Sequence, residues 1–214
     1  MTLENILMDI QANVDRSNEP IDWSDEDTIV RIAIINRGIR RWADDNVTRW
    51  DELYSNNIAG TIGMGTTSLP LDDEFALLDA VYDENGVALE IKNIRDATTV
   101  GRYFYVSGNS SDGYQLNLGW IPTEDDPMIG KQIRVMTYRQ SIMLEKPSDT
   151  PEMRNPYYLV AYTSAELMID DDTTQYGKYE NDAALALANM RDVNDQMAQR
   201  QRRNALDDDS ESWG

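Results

Sequence analysis

The stretch Leu77-Leu78-Asp79-Ala80-Val81-Tyr82-Asp83-Glu84-Asn85-Gly86-Val87-Ala88-Leu89-Glu90-Ile91 decides what kind of fold this chain has. Two apolar-rich runs flank a turn signal in which Gly86 supplies the positive φ that a hairpin needs. The alternating period holds from Thr61 to Gln140. Residues 102–107 and 114–118 flank a second turn at Gly108 to Gly113, and Ile133, Val135 and Thr137 alternate with polar neighbours. A small antiparallel sheet or sandwich is therefore expected in the middle of the chain, with a short helix around Lys92 to Thr98. The uncharged run from Tyr54 to Leu71, full of Ser, Asn, Thr and Gly, reads as loop and strand.

Outward from this region the period becomes helical. Thr2 suits an N-cap, and Leu3, Ile6, Leu7, Ile10 and Val14 share one helical face, which ends at Ser17 to Pro20. Ser24 stands three residues before Asp27 in capping-box spacing, with Asp25, Glu26 and Asp27 at the positive end of the helix dipole. The helix it opens runs to about Asp44 and carries a stripe of Ile32, Ile35, Ile39 and Trp42, widened by Ile29 and Ile34. These two helices are expected to form a hairpin. Arg31, Arg37, Arg40 and Arg41 occupy much of the opposite face, either as a solvated surface or as a contact face for a partner.

Downstream, Pro147, Pro151 and Pro156 punctuate the chain, and Pro156 fits the first turn of a helix because its missing N–H would be unpaired there. That helix reaches about Ile169, with Tyr158, Ala161, Tyr162, Ala165, Met168 and Ile169 as its buried stripe. After Asp170 to Asp172, a fourth helix places Tyr179, Ala183, Ala186, Met190, Val193 and Met197 on one seam. The seam fades near residue 198. Beyond it, Arg200, Arg202 and Arg203, an acidic run and Trp213 form an arm too poor in apolar surface to order itself. It is either solubilising disorder or a segment that folds onto a partner, with Trp and Arg as favoured interface anchors.

Composition restricts the chemistry. The 214 residues hold 39 acidic and 19 basic side chains, a formal charge of −20, with no Cys and no His. Such a chain repels a polyanion instead of gripping it, although DNA can pass without sticking. Disulfides, thiolate catalysis, the usual structural zinc sites and His-based acid–base chemistry are all excluded. Nothing resembles a membrane span or a secretory signal, so synthesis in the cytoplasm is expected.

What remains for catalysis is carboxylate pairs, namely Asp72, Asp73 and Glu74, Asp125 and Asp126, and Asp170 to Asp172. Adjacency in sequence does not make them converge across a cleft as a glycosidase pair must, and none has EF-hand spacing. Gly60, Gly63 and Gly65 lack the Lys-Ser or Lys-Thr and the helix that a phosphate loop requires. Tyr103, Phe104, Tyr105, Tyr114 and Trp120 suggest either a base-stacking platform or cross-strand packing, and the acidic surroundings favour packing. No catalytic, metal or cofactor-binding residue is assigned.

Four ordered stretches carry a resemblance: Asp22-Trp23-Ser24-Asp25-Glu26, Thr67-Ser68-Leu69-Pro70-Leu71-Asp72, Gly119-Trp120-Ile121-Pro122, and Asp149-Thr150-Pro151-Glu152-Met153 before a Tyr-rich helix. Together they resemble the head-to-tail adaptor (connector) proteins of tailed bacteriophages, to about Met197. The resemblance implies an α+β, mainly α fold. An antiparallel bundle of about four helices would hold an inserted β domain, as a helical hairpin (1–56), the β domain (57–146), bundle-completing helices (147–198) and a C-terminal arm (199–214). It further implies a non-enzymatic ring, usually dodecameric, below the portal in the virion neck. The ring would extend the DNA channel and receive a tail or nozzle protein, with Arg200, Arg202, Arg203 and Trp213 docking on the portal. It implies no cofactor and no membrane. The alternatives are a tail-completion or stopper ring and a carboxylate hydrolase of the virion.

Overall fold

The computed structural model describes residues 1–96, 101–170 and 172–211, by backbone alone from 198 on. The helices are α1 (Leu3–Val14), α2 (Glu26–Ala43), α3 (Tyr157–Met168) and α4 (Thr173–Glu211). The strands are β1 (Tyr54–Thr61), β2 (Ser68–Pro70), β3 (Phe75–Tyr82), β4 (Phe104–Asn109), β5 (Gly113–Leu118) and β6 (Gln132–Arg139). Two compact units result, one of Met1–Glu52 with the described residues from Ser141 on, the other of Leu53–Gln140.

This corrects the expected mainly α bundle. About 38% of the chain is helix and about 21% strand, with two three-stranded antiparallel sheets beside the four helices among the described residues. One cause is β1, which forms in the polar, uncharged run after Leu53. Ser55, Asn56 and Asn57 bury little, yet their backbones pair in register with Thr137, Met136 and Val135 of β6. Backbone pairing makes this strand where side-chain pattern gives no sign of one.

In the helical unit, α3 is the common partner. Its residues Tyr158 through Ala165 are all buried, so α3 is covered on every side. Its apolar character is nearly uniform around the axis, and the stripe expected to extend to Met168 and Ile169 stops short, with Ile169 half exposed. The expected hairpin of α1 and α2 gives way to an arrangement in which both pack mainly on α3. Leu3, Ile6, Leu7 and Ile10 of α1 are fully buried, and Thr2 caps the helix by accepting a hydrogen bond from the Asn5 amide at 3.3 Å. Side chains of this kind contribute roughly 1.5–3 kcal/mol each on full burial.

α2 meets α3 at Gly38. A Cβ there would lie 2.8 Å from the Tyr162 ring and 3.1 Å from Leu159, so the absence of a side chain sets the close approach. The buried side of α2 is Thr28, Ile34, Ile35, Gly38, Ile39 and Trp42, while Ile29, placed in the stripe by sequence, is 57% exposed. The N-cap of α2 is Asp25, without a side-chain cap bond. Ser24 instead donates its hydroxyl to Asp22 at 2.7 Å, because Asp22 stands two residues away in an Asx turn.

α4 buries Tyr179, Ala183, Ala186, Met190 and Asn194. Val193 and Met197, expected on the seam, are about two-fifths exposed, and the polar Asn194 takes the buried place. Its side chain accepts from the Asp51 amide (3.1 Å) and donates to the Arg49 carbonyl (2.8 Å). One turn earlier, Arg191 clasps Asp45 through two hydrogen bonds of 2.7 and 2.9 Å. The helix then continues to Glu211, past the end expected near 198, through Gln, Arg, Ala and Leu residues that all favour helix.

The second unit is a sandwich. Its sheets have strand orders β1-β6-β3 and β2-β5-β4. Phe75, Val81, Ile133 and Val135 from one sheet and Leu69, Phe104, Leu116 and Leu118 from the other share one core. The turn after β3 forms as expected, with Gly86 at φ 79° and Asp83 accepting from the Asn85 and Val87 amides at 2.9 Å. Its return segment makes only isolated bridges at Ala88 and Ile91 instead of a strand. Of the short helix expected at 92–98, a single 3-10 turn forms at Ile94–Asp96, and residues 97 and 98 lie outside the described residues.

Two stability outcomes follow from α3. Gly38→Ala should cost about 1–3 kcal/mol in chemical denaturation, since a methyl group must be forced between packed helices. Thr163 lies fully buried on α3 with its hydroxyl unpaired among the described residues, so Thr163→Val should raise stability by about 1 kcal/mol. A destabilised Thr163→Val protein would contradict the packing described here.

Candidate functional site

Two of the acidic clusters each contribute one structural fastening, Asp126 and Asp172, and the third is exposed. Asp125 is exposed while its neighbour Asp126 points inward, accepting from the Trp120 indole at 2.9 Å and the Met128 amide at 2.9 Å, with Arg102 3.3 Å away. The two carboxyls therefore do not work as a pair. Asp172 caps α4 by accepting from the Thr174 and Gln175 amides at 3.0 and 3.1 Å, Asp170 is exposed, and Asp171 lies outside the described residues. Asp72, Asp73 and Glu74 are exposed, Asp72 accepting weakly from Asn57 at 3.4 Å and Glu74 facing Arg139 at 3.7 Å. No group of acidic side chains among the described residues converges as a metal site.

A concavity of about 470 Å³ lies beside β1, lined in part by Asn57, Ile58, Leu71, Asp72 and Val135. Asp72 is the single carboxylate among its described lining residues. The glycine-rich segment above β2 has its amides committed, Gly63 donating to the Thr66 hydroxyl (2.9 Å) and Gly65 to the Pro122 carbonyl (3.0 Å). They are not presented to an anion as a phosphate loop requires.

The aromatic strand residues pack against one another. Phe104 meets Trp120 edge-on at 5.3 Å, Phe75 meets Tyr114 at 4.9 Å, and Tyr103 is buried. Tyr105, half-buried, lies 6.2 Å from Tyr103, and among the described residues these rings pack as a core and not as an open row of faces for bases.

The arginine face of α2 divides. Arg31 is mostly buried and bonded to Asp15 at 2.7 Å, so it serves the helical unit itself. Arg41 lies over the Tyr162 ring at 5.5 Å. Arg37 touches Glu166 at 3.5 Å but remains 64% exposed, and Arg40 is exposed. The face is thus open to solvent at Arg37 and Arg40 and closed at Arg31. Of the expected docking arm, Arg200, Arg202 and Arg203 have helical backbone while their side chains lie outside the described residues, as does all of Trp213.

Sequence reasoning missed the fastening of α4 by Arg191 and Asn194 to the segment after α2, and the Trp42–Trp50 stack. In that stack the rings lie 5.4 Å apart and the Trp50 indole donates to the Trp42 carbonyl at 2.6 Å. No local signal announces such contacts, because each joins positions with unrelated patterns. No helix among the described residues is long and apolar enough to cross a membrane.

Several carboxylates are held below the usual range. Burial alone would raise Asp45, but its bonds to Arg191 and the Val47 amide outweigh that and lower it. The Val87 amide and Lys131 lower Asp83 against burial, and the Glu145 and Lys146 amides lower Asp149. Each group ionises more readily folded than unfolded. The stability this adds is complete above the ordinary carboxylate range near pH 4 and is lost as pH falls through the folded values. With no His to titrate, stability in denaturant should vary little from about pH 5.5 to 8 and fall steeply below about pH 4. Asp45→Asn should flatten that fall, as followed by urea melts across pH. Neither a family model nor a curated protein matches this chain.

Proposed function

We propose that this chain is a head-to-tail adaptor of a tailed bacteriophage, a non-catalytic building block of a ring that sits below the portal, extends the DNA channel and receives tail proteins. The observation that carries the reading is the order of elements. The β unit Leu53–Gln140 is inserted between α2 and α3 of one helical unit. Of the four resembling stretches, two lie within that unit, across β2 and after β5, and two lie in the helical unit, before α2 and before α3.

The chemistry supports it. Of the carboxylates offered as catalytic material, Asp126 and Asp172 serve as loop and helix fastenings. A formal charge of −20 gives passing DNA few adhesive sites and keeps free subunits apart. Assembly on a portal template would offset that repulsion, with residues 199–214 contributing to attachment.

The test is to mix the purified chain with the portal protein of the same phage and image the product by negative stain. A closed ring, seated on the portal and lost on deleting residues 200–214, is the expected result. A chain that never joins the portal, and is missing from assembled particles, would end this reading. If the truncated chain attaches as well as the full chain, only the docking role of the arm falls.

A further inference from the structure

The outward faces of α2 and α4 share one pattern with opposite charge. On α2 the exposed residues run from Glu26 through Ile29, Val30 and Ala33 to Arg37 and Arg40. On α4 they run from Lys178 through Ala184, Leu185 and Ala188 to Asp192 and Asp195. Each face is apolar in its middle, with Ile29 57%, Val30 46% and Leu185 61% exposed. Each has one sign of charge at its start and the other at its end.

The spacing matches as well. Val30 to Arg37 and Ala33 to Arg40 are seven residues apart, as are Leu185 to Asp192 and Ala188 to Asp195. Seven residues of helix are two turns, about 10 Å along the axis. Laid parallel, the two helices would set apolar centre on apolar centre, Arg37 and Arg40 by Asp192 and Asp195, and Glu26 near Lys178. Antiparallel, like signs would meet at both ends. Small residues at Ala33, Ala184 and Ala188 leave room for the helices to approach.

We infer that the α2 face of one copy docks in parallel on the α4 face of the next copy, making a head-to-tail contact between subunits. The occupant is a second copy because the complement of each face is carried by the same chain, in the same spacing. A contact between two different faces propagates from copy to copy and closes into a ring when its rotation permits. The inference rests on the ring reading above and supplies its joint. It also explains why an acidic chain keeps exposed arginines on one helix, since in that joint they meet Asp192 and Asp195 and offset the repulsion between like-charged subunits.

The absence of cysteine makes the test direct. Chains carrying Ala33→Cys and chains carrying Ala188→Cys are mixed at physiological ionic strength and treated with a short bis-maleimide. The expected result is a mixed cross-linked dimer at least tenfold above the dimers either variant gives alone. Adding Arg37→Glu and Arg40→Glu to the first chain should abolish that excess, and adding Asp192→Arg and Asp195→Arg to the second should restore it. All six positions are exposed, and circular dichroism verifies that each variant folds. A mixed yield no greater than the separate ones, or one indifferent to charge reversal, overturns the contact. If rings form on the portal without this cross-link, the joint is wrong and the ring stands. If the cross-link forms but only open strings of subunits assemble, the ring reading fails and the joint survives.

Discussion

The complete burial of α3 is the constraint on which the helical unit depends. A helix with eight consecutive buried residues has no solvent face to spare, so it must be surrounded. α1, α2 and α4 supply the surround, and their own burial follows from what α3 presents. Gly38 lets α2 come close enough to seat Tyr162, and burial pushes the Tyr158 phenol up to about 12, keeping it neutral. The β unit interrupts the chain between α2 and α3, so α1 and α2 are made long before the helix they enclose. Residues 45–51, held by Arg191 and Asn194, secure the place where the chain leaves for the β unit.

Acidity in this protein has two roles that composition alone does not separate. Many aspartates bind backbone amides close by in sequence: Asp22, Asp83, Asp126, Asp149 and Asp172 each close a turn or start a helix. Asp is well suited to this because its short side chain reaches amides up to four residues away, ahead of it for Asp22, Asp83, Asp126 and Asp172 and behind it for Asp149. Others pair with arginines, as Asp45 does with Arg191 and Asp15 with Arg31, and many of the rest are exposed and set the charge of the surface. A count of acidic residues therefore overstates the material available for catalysis and understates how much of it shapes loops.

What could be seen in the sequence was periodic and local. Ile133, Val135 and Thr137 alternate and are buried, Thr2 caps α1, and Gly86 turns the chain after β3. The run holding β1 reads only as loop and strand, without bounds, because backbone pairing, not apolar side chains, makes it a strand. The all-round burial of α3 flattened the period that marks a one-faced helix, and this hid its central place. On α4 the buried position belongs to Asn194 and not Val193, since a polar side chain with two backbone partners is as much at home inside as an apolar one. Among candidate surface residues, the split between inward Arg31 and outward Arg37 and Arg40 depends on where Asp15 falls in space, which no spacing encodes.

β1 and β6, the first and last strands of the β unit, are neighbours in one sheet, with Tyr54 opposite Tyr138 and their rings 5.3 Å apart. The excursion from the helical unit thus begins and finishes at nearly the same point. Such a module can be lengthened, shortened or exchanged for another without tearing its host, because the gap it spans at its base never changes. Recombination between related genes would find here a natural seam, leaving the helical framework to keep its geometry while the grafted part diversifies.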